Sequence, residues 1–158
     1  MMQVRKRPPK QHCPVCDTDI SVPGDIRSLP QLKRYHALVR AVYEHWPERH
    51  ERQFSSQEEC RAWLQCKAGH HTQIATLQIS GLNPTRAVML VEAAIRAAGS
   101  YAFSVQDGSL LLIYRPKSIS FAKLDHIKAC QLFDEVAAVV LAEAGLQAEQ
   151  LLAEVGGP

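Results

Sequence analysis

The segment from Asp125 to Gly145 predicts a long amphipathic helix with two defined ends. Asp125 is a residue type that caps helix N-termini, and Gly145 is typical of the position just past a C-terminus. Between them, apolar residues recur at spacings of three and four, so one stripe of the helix must be buried. The stripe consists of Ile127, Cys130, Phe133, Val136 or Ala137, and Val140. A stripe of this length needs several other elements to cover it.

Other segments of the chain supply those elements. A helix is predicted from about Ser28 to Trp46, with its own stripe of apolar residues. Capping and stop residues predict further helices over about 55–69, 83–99 and 146–156. A strand is predicted over 72–79, and a β-hairpin over 101–115 turns at Asp107-Gly108. This order favours an α+β fold, in which helices pack around a small antiparallel sheet or hairpin.

The 158 residues suit one compact domain with an appendage. Residues 1–26 are predicted to form an arm that contains the turn Cys-Pro-Val-Cys, and residues 27–158 to form a single α+β domain. The first ten residues carry four cations and no acid, and Pro8-Pro9 blocks a helix. We therefore expect the start of the arm to be basic and flexible.

The charge is distributed unevenly along the chain. The net charge of +2 is too small to indicate a nucleic-acid-binding protein, but the N-terminal residues are strongly basic. No Lys or Arg follows Lys128, whereas several acidic residues do. One end could approach a polyanion that the other end would avoid. The alternative is a solvated basic arm and a solvated acidic helix face.

No apolar run reaches the length of a transmembrane helix, and the N-terminal cations are not followed by the apolar core of a signal peptide. A cytosolic location without a membrane is therefore predicted. In that setting the five cysteines are expected to be thiols or metal ligands rather than disulfides.

Cys13 and Cys16 have the spacing at which two thiolates of one turn bind one zinc ion. A second pair of this kind is missing from the sequence. Cys66 with His70 or His71, which flank a predicted helix end, could complete the site. Such a site would be structural and would fix the arm to the domain. The alternative is a pair of free thiols and a buried Cys66.

The sequence does not support catalysis. Ser120 and Lys123 match the Ser-x-x-Lys pattern of penicillin-recognising enzymes, but the other elements of those enzymes are absent. No phosphate-binding glycine loop, metal-hydrolase motif or convincing pair of catalytic carboxylates is found. We predict that the protein is not an enzyme.

The remaining cations are predicted to contact nucleic-acid phosphates, assisted by neighbouring hydroxyls. An aromatic ring, Phe121 or Tyr35, could stack on an unpaired base. The predicted contact residues are Arg27, Lys33, Arg34, Arg40, Arg115, Lys117, Ser118, Ser120, Phe121 and Lys123. The alternative is that the cations are ordinary surface residues and that Phe121 packs against the long helix.

Three segments together resemble a phage or prophage family of unknown function. They are residues 27–45, 54–71 and 116–145, and the last contains the signature Pro-Lys-Ser-Ile-Ser-Phe-Ala-Lys-Leu-Asp. A more distant similarity, in the segments Arg-Ser-Leu-Pro-Gln and Pro-Lys-Ser-Ile-Ser, connects the chain to the NinB (Orf) recombination proteins of lambda-like phages. The Cys13–Cys16 arm does not belong to either pattern, so the resemblance carries no implication about zinc.

This resemblance implies a non-enzymatic phage protein that acts on DNA during replication or recombination in the cytoplasm of a bacterial host. NinB-type proteins are dimers that bind single-stranded DNA and help to load a recombinase. The expected partners are therefore single-stranded DNA, a replication or recombination protein of host or phage, and a second copy of the chain. The apolar residues Leu132, Val139 and Leu141 suggest the helix over 125–144 as the dimer contact.

A protein-binding role remains the alternative. Phages encode small proteins that inhibit host machinery, including host defence. Such a protein would use the acidic region 125–154, with Leu146, Leu151 and Leu152 as apolar contacts.

Overall fold

A computed structural model describes residues 11–15, 17, 19–20, 29–119 and 125–156. Within this part of the chain there are five helices and five strands, which confirms the α+β class. The helices are α1 (Leu29–His45), α2 (Gln57–Lys67), α3 (Pro84–Ala97), α4 (His126–Ala144) and α5 (Ala148–Val155). The strands are β1 (Gln11–His12), β2 (Asp19–Ile20), β3 (His71–Gln78), β4 (Phe103–Asp107) and β5 (Leu110–Pro116).

The main core lies among α1, α2, α4 and α5. The predicted stripes of α1 and α4 both face it, because Val39, Val42, Val136 and Val140 are fully buried there. Trp63 of α2 joins the same core. The spacing of apolar residues therefore identified the buried face of α1 and most of that of α4, whereas Ile127 and Cys130 of the predicted α4 stripe lie in a separate cluster with Cys13.

The sheet has the strand order β3-β5-β4 and is antiparallel throughout. Leu111 and Ile113 of β5 are buried with Ala87 of α3. Phe103 of β4 pairs with Tyr114, the neighbour of Ile113 in β5. Because neighbouring residues of a strand point to opposite faces, Phe103 projects from the other face of the sheet and packs against the main core. The sheet thus lies between α3 and the helices of the main core.

The predicted caps fix most element ends. The side chains of Ser56, Asn83 and Asp125 each accept a hydrogen bond from a backbone N–H of the first helical turn. Gly145 ends α4 in the left-handed conformation, with φ of +67°. The hairpin turn differs by one residue from the prediction: Asp107 still pairs with Leu110, so the loop is Gly108 and Ser109 rather than Asp107-Gly108.

An ionic network joins the main core to α3. The Glu59 carboxylate of α2 is buried, and Arg96 of α3 donates a hydrogen bond to it at 2.8 Å. Arg52 contacts the same carboxylate at 3.5 Å and reaches Glu92 of α3 at 3.3 Å. The network connects the helical core to the helix that covers the sheet.

Two predicted interaction surfaces need correction. Leu132, which we expected at a dimer contact, has an exposed fraction of 1% and belongs to the main core. Leu151, expected on a partner-binding surface, is also buried, and Leu146 and Leu152 pack against the same core. Leu141 does remain exposed. Helix α5 buries its leucines because it folds back across α1 and α4.

No single helix of the described residues has the length and apolar character to cross a membrane. Helices α4 and α5 meet that test only when taken together, and they are bent by 99° at their junction.

Candidate metal centre and nucleic-acid interface

Cys13 lies in a tight turn between β1 and β2. The backbone N–H of Asp17 donates a hydrogen bond to the carbonyl of Cys13 at 3.1 Å. Asp17 itself has a left-handed backbone, with φ of +56°, which Asp adopts more readily than most residues. The turn leaves Cys13 completely buried, although His12 and Asp17 beside it are exposed. The hairpin therefore presents a thiol to the interior of the protein.

Two residues of α4 meet this thiol. His126 and Cys130 are one helical turn apart, and His126 Nε2 lies 3.5 Å from Cys130 Sγ. One ligand atom from each of Cys13, His126 and Cys130 lies within 4.8 Å of the other two. All three side chains are buried, and Val15 and Ile127 pack around them. The described residues thus bring together a three-residue cluster that could hold a metal ion.

The donor types of this cluster match the preferences of a soft or borderline divalent ion. Two cysteine sulfurs and one imidazole nitrogen are typical ligands of zinc, and oxygen-preferring ions such as magnesium rarely use them. The surrounding side chains of Val15 and Ile127 are apolar. They would limit the access of water, as in a closed structural site rather than an open catalytic one.

The cluster differs from the ligand set that the sequence suggested. Cys13 is part of it, and Cys16 lies outside the described residues. Cys66, His70 and His71 are not in the described cluster. Cys66 is instead a buried residue of α2, where burial raises the pKa of its thiol to about 11. A thiol in that state is a poor metal ligand at neutral pH.

His126 and Cys130 were missed although the sequence contains their signal. A His and a Cys four residues apart near the start of a predicted helix share one face and can bind one ion. The apolar spacing of α4 also places Cys130 in the buried stripe of the helix. Cys130 does have an exposed fraction of only 3%, so both descriptions apply to the same residue.

A groove of about 620 Å³ runs between the open end of the sheet and α4. Its wall combines residues of β3 and β5, the segment that follows β5, and α4. The lining residues are His70, Thr72, Arg115, Pro116, Lys117, Ser118, Lys128, Gln131, Leu132 and Glu135. Among these described residues Glu135 is the acidic one, whereas Arg115, Lys117 and Lys128 are exposed cations.

The sheet side of the groove is held rigidly. Arg115 pairs with Thr72 in the ladder between β5 and β3. One residue beyond the strand, the N–H of Lys117 donates to the carbonyl of His70 at 3.1 Å. The side-chain amide of Gln65 donates to the carbonyl of Lys117, also at 3.1 Å. Because Gln65 has no exposed surface, this bond ties the groove to the interior of α2.

His70 gives the groove a titratable group. Burial, followed by the nearby charges of Lys117 and Arg61 and by His71, lowers the pKa of His70 below its ordinary value. Its Nε2 atom is buried and has no hydrogen-bond partner among the described residues. The groove therefore contains an imidazole that is neutral at neutral pH and becomes a further cation when it is protonated.

The sequence-predicted nucleic-acid contacts divide into three groups. Arg115, Lys117 and Ser118 line the groove together. Arg27, Ser120, Phe121 and Lys123 lie outside the described residues. The third group does not line the groove and consists of the predicted α1 cations Lys33, Arg34 and Arg40.

Two of the α1 cations make ion pairs within the protein. Arg34 donates to Glu149 of α5 at 2.7 Å and stacks over the ring of Phe133. Arg40 pairs with Glu44 at 3.0 Å, one turn along the same helix. Tyr35, the alternative candidate for base stacking, has an exposed fraction of 1%, so its ring belongs to the core and cannot reach a base.

No protein-family model matches this chain, and the searches of curated proteins and of solved structures also found no match.

Proposed function

We propose that this chain is a non-enzymatic phage or prophage protein that binds DNA, preferably single-stranded, during replication or recombination. The observation that carries the proposal is the groove between the sheet and α4, where Arg115, Lys117 and Lys128 are exposed around one concave surface. Three converging cations suit the phosphates of a nucleic-acid backbone. The resemblance of residues 116–145 to the phage signature agrees with this use of the same segment.

The polar groups between the cations support contact with a backbone rather than with base edges. The hydroxyls of Thr72 and Ser118 and the amide of Gln131 lie in the same wall. Hydroxyls and amides donate readily to phosphate and sugar oxygens, and such contacts position a strand without reading its sequence. Phe121 and Lys123, outside the described residues, follow this wall in the sequence and remain our candidates for base stacking and a further phosphate contact.

We also propose that the metal cluster binds zinc in a structural role. Cys13, His126 and Cys130 supply three ligands of the types that zinc prefers. The spacing of Cys13 and Cys16 in the sequence suggests Cys16 as the fourth ligand. The bound ion would attach the N-terminal hairpin to the start of α4.

A homodimer is part of the proposal. A second groove would extend the cationic track and let one molecule contact two stretches of strand. Leu141 on α4 is 51% exposed and stands next to the exposed Ala138, which leaves a small apolar surface for such a contact. Light scattering on the purified protein measures its mass in solution and tests this part directly.

Fluorescence anisotropy with single-stranded and double-stranded oligonucleotides, each at two salt concentrations, tests the function. We expect tighter binding to the single strand and a clear loss of affinity at the higher salt concentration. An absence of binding to either oligonucleotide at low salt would contradict the proposal and would favour the inhibitor of host machinery. In that event the exposed Met89 and Leu90 on α3 offer an apolar contact surface for a protein partner.

A further inference from the structure

We propose that metal binding at Cys13, His126 and Cys130 controls the affinity of the groove for nucleic acid, because it fixes the position of Lys128. This inference rests on the proposed function and adds a means of regulating the same site. The two sites share the first turns of α4. The metal cluster uses the buried side of these turns, and the groove uses the exposed side.

The helix itself produces this arrangement. His126 and Cys130 are four residues apart and therefore lie one above the other on one face. Lys128 is two residues from each of them, so it projects from nearly the opposite face. Burial agrees with this geometry, because His126 and Cys130 are buried whereas Lys128 and Gln131 are exposed and line the groove. A displacement of the ligand-bearing turn must therefore also displace Lys128.

In the first turn of α4, Ala129 belongs to the main core with an exposed fraction of 2%, whereas His126 and Cys130 lie in the separate metal cluster. Asp125 caps the helix through a hydrogen bond from the N–H of Lys128 at 2.8 Å. The adjacent apolar cluster contains two buried residues, Cys13 and Cys130, and is separate from the main core. Helix ends open more easily than the centre of a domain. Metal–ligand bonds from the hairpin would hold this turn closed.

The other wall of the groove does not depend on the cluster. Arg115 belongs to the ladder between β3 and β5, and the main chain of Lys117 is held by His70 and Gln65. Leu132, one turn beyond Lys128, is already in the main core. Loss of the metal should therefore affect Lys128 and leave Arg115 in place. This contrast provides an internal control.

A thermodynamic cycle between the metal and Lys128 tests the inference. The dissociation constant for a fluorescent single-stranded oligonucleotide is measured for the zinc-loaded and the chelator-stripped full-length protein, in the wild type, Lys128→Ala and Arg115→Ala. Zinc content and circular dichroism are recorded for every sample. Zinc is then added back to the stripped protein, and Cys130→Ser provides a second route to the metal-free state.

The expected effects follow from the salt dependence of phosphate contacts. Because each contact with a single strand contributes a slope of about 0.7, losing one near 0.1 M salt weakens binding about fivefold. We expect that loss in the wild type on metal removal and in zinc-loaded Lys128→Ala. Stripping the metal from Lys128→Ala should add less than about a twofold loss, because the two changes remove the same contact. Stripping Arg115→Ala should cost the full fivefold, and added zinc should reverse it.

The possible outcomes distinguish metal control of the groove from DNA binding itself. Equal affinities for loaded and stripped protein, or purified protein without zinc, would overturn the inference and leave DNA binding intact. A fivefold effect of metal removal in Lys128→Ala would overturn the role of Lys128. Global unfolding on chelation would overturn local control. Loaded protein that does not bind the oligonucleotide at low salt would overturn both the proposed function and this inference.

Discussion

The side-chain amide of Gln65 donates a hydrogen bond to the backbone carbonyl of Lys117 at 3.1 Å, across 52 residues of sequence. Gln65 is completely buried in α2, whereas Lys117 is an exposed cation of the groove. A buried amide is costly unless it is hydrogen-bonded, so this contact fixes the main chain of Lys117 with respect to the core. The bond therefore links the stability of the fold to the shape of the groove.

Replacing Gln65 with Leu should therefore lower the free energy of unfolding by about 1–3 kcal/mol, because the Lys117 carbonyl loses its donor. The variant should also bind single-stranded DNA more weakly than the wild type, since Lys117 is less well positioned. Urea denaturation and anisotropy titration measure the two effects. Gln73→Leu, at an exposed position of β3, is the matched control and should change neither. Unchanged stability of Gln65→Leu would contradict the structural role of this bond.

Glu59 should make the stability of the protein depend on pH. Burial alone would raise the pKa of Glu59, but hydrogen bonds from Ser55 and the charges of Arg96 and Arg52 together lower it below its ordinary value. A carboxylate with a lowered pKa in the folded state contributes stability above its unfolded pKa, about 4.3, and loses that contribution as the pH falls through the folded value. The contribution is therefore complete at neutral pH.

Glu59→Gln should accordingly lower the free energy of unfolding at pH 7 by about 1–3 kcal/mol. The difference from the wild type should shrink as the pH falls below about 4, because the wild-type carboxylate is then protonated. Thermal or urea denaturation across the pH range measures this. Glu58→Gln, in the same helical turn but exposed, should show a much smaller difference. A pH-independent difference for Glu59→Gln would refute the assignment.

His70 should make the affinity for DNA increase as the pH falls. Burial and the neighbouring charges lower the pKa of His70, so it is neutral in the free protein at pH 7. A bound phosphate backbone favours the protonated form, so the affinity should rise as the pH falls below the ordinary His value of about 6.5. His70→Gln should lack this rise. His36→Gln, at a histidine of α1 whose pKa burial also lowers, should keep it, because His36 does not line the groove.

In the absence of DNA, His70 should make the protein less stable as the pH falls. A histidine with a lowered folded pKa resists protonation in the native state, so its contribution to stability is lost as the pH falls through the folded value. Wild-type protein should lose more stability than His70→Gln between pH 7 and pH 5. Equal losses would show that His70 titrates normally.

The zinc proposal predicts a specific pattern among the cysteine variants. Protein purified without a polyhistidine tag should contain about one zinc per chain, and Cys130→Ser should lose most of it. Cys66→Ala should retain the metal, because Cys66 lies outside the described cluster. Elemental analysis distinguishes these cases. Loss of zinc from Cys66→Ala together with retention by Cys130→Ser would restore the ligand set that the sequence alone suggested.

Most of the fold could be predicted from local signals. Asp125, Asn83 and Ser56 cap their helices where expected, because capping depends on a few adjacent residues. Whether a given apolar residue is buried or exposed was harder to predict. Leu132 is apolar, but the spacing of residues in α4 alone does not decide whether it is buried or exposed. The packing of α1 and α2 against α4 buries it.

The candidate site was predictable only in part for the same reason. Arg115 and Lys117 are close in sequence, so their proximity follows directly from the strand that carries one of them. Lys128 joins them only because α4 returns beside β5, and Cys13 meets Cys130 only because the hairpin folds onto α4. Contacts between residues distant in sequence depend on tertiary packing, which spacing patterns do not contain.

Removing the three groove cations tests the central claim, because the same number of charges can be removed elsewhere as a control. The groove variant carries alanine at Arg115, Lys117 and Lys128. The control variant carries alanine at three exposed cations that do not line the groove, namely Lys33, Arg40 and Arg86. Both variants have the same net charge, so a general electrostatic effect would appear equally in both.

The decisive measurement is the salt dependence of single-stranded DNA binding by the wild type and these two variants. If each groove cation contacts one phosphate, the slope of log affinity against log salt should fall by about 2 in the groove variant, since each contact contributes about 0.7. The control variant should keep nearly the wild-type slope and affinity. Wild-type affinity and slope in a folded groove variant would contradict the account, as would equal losses in both variants.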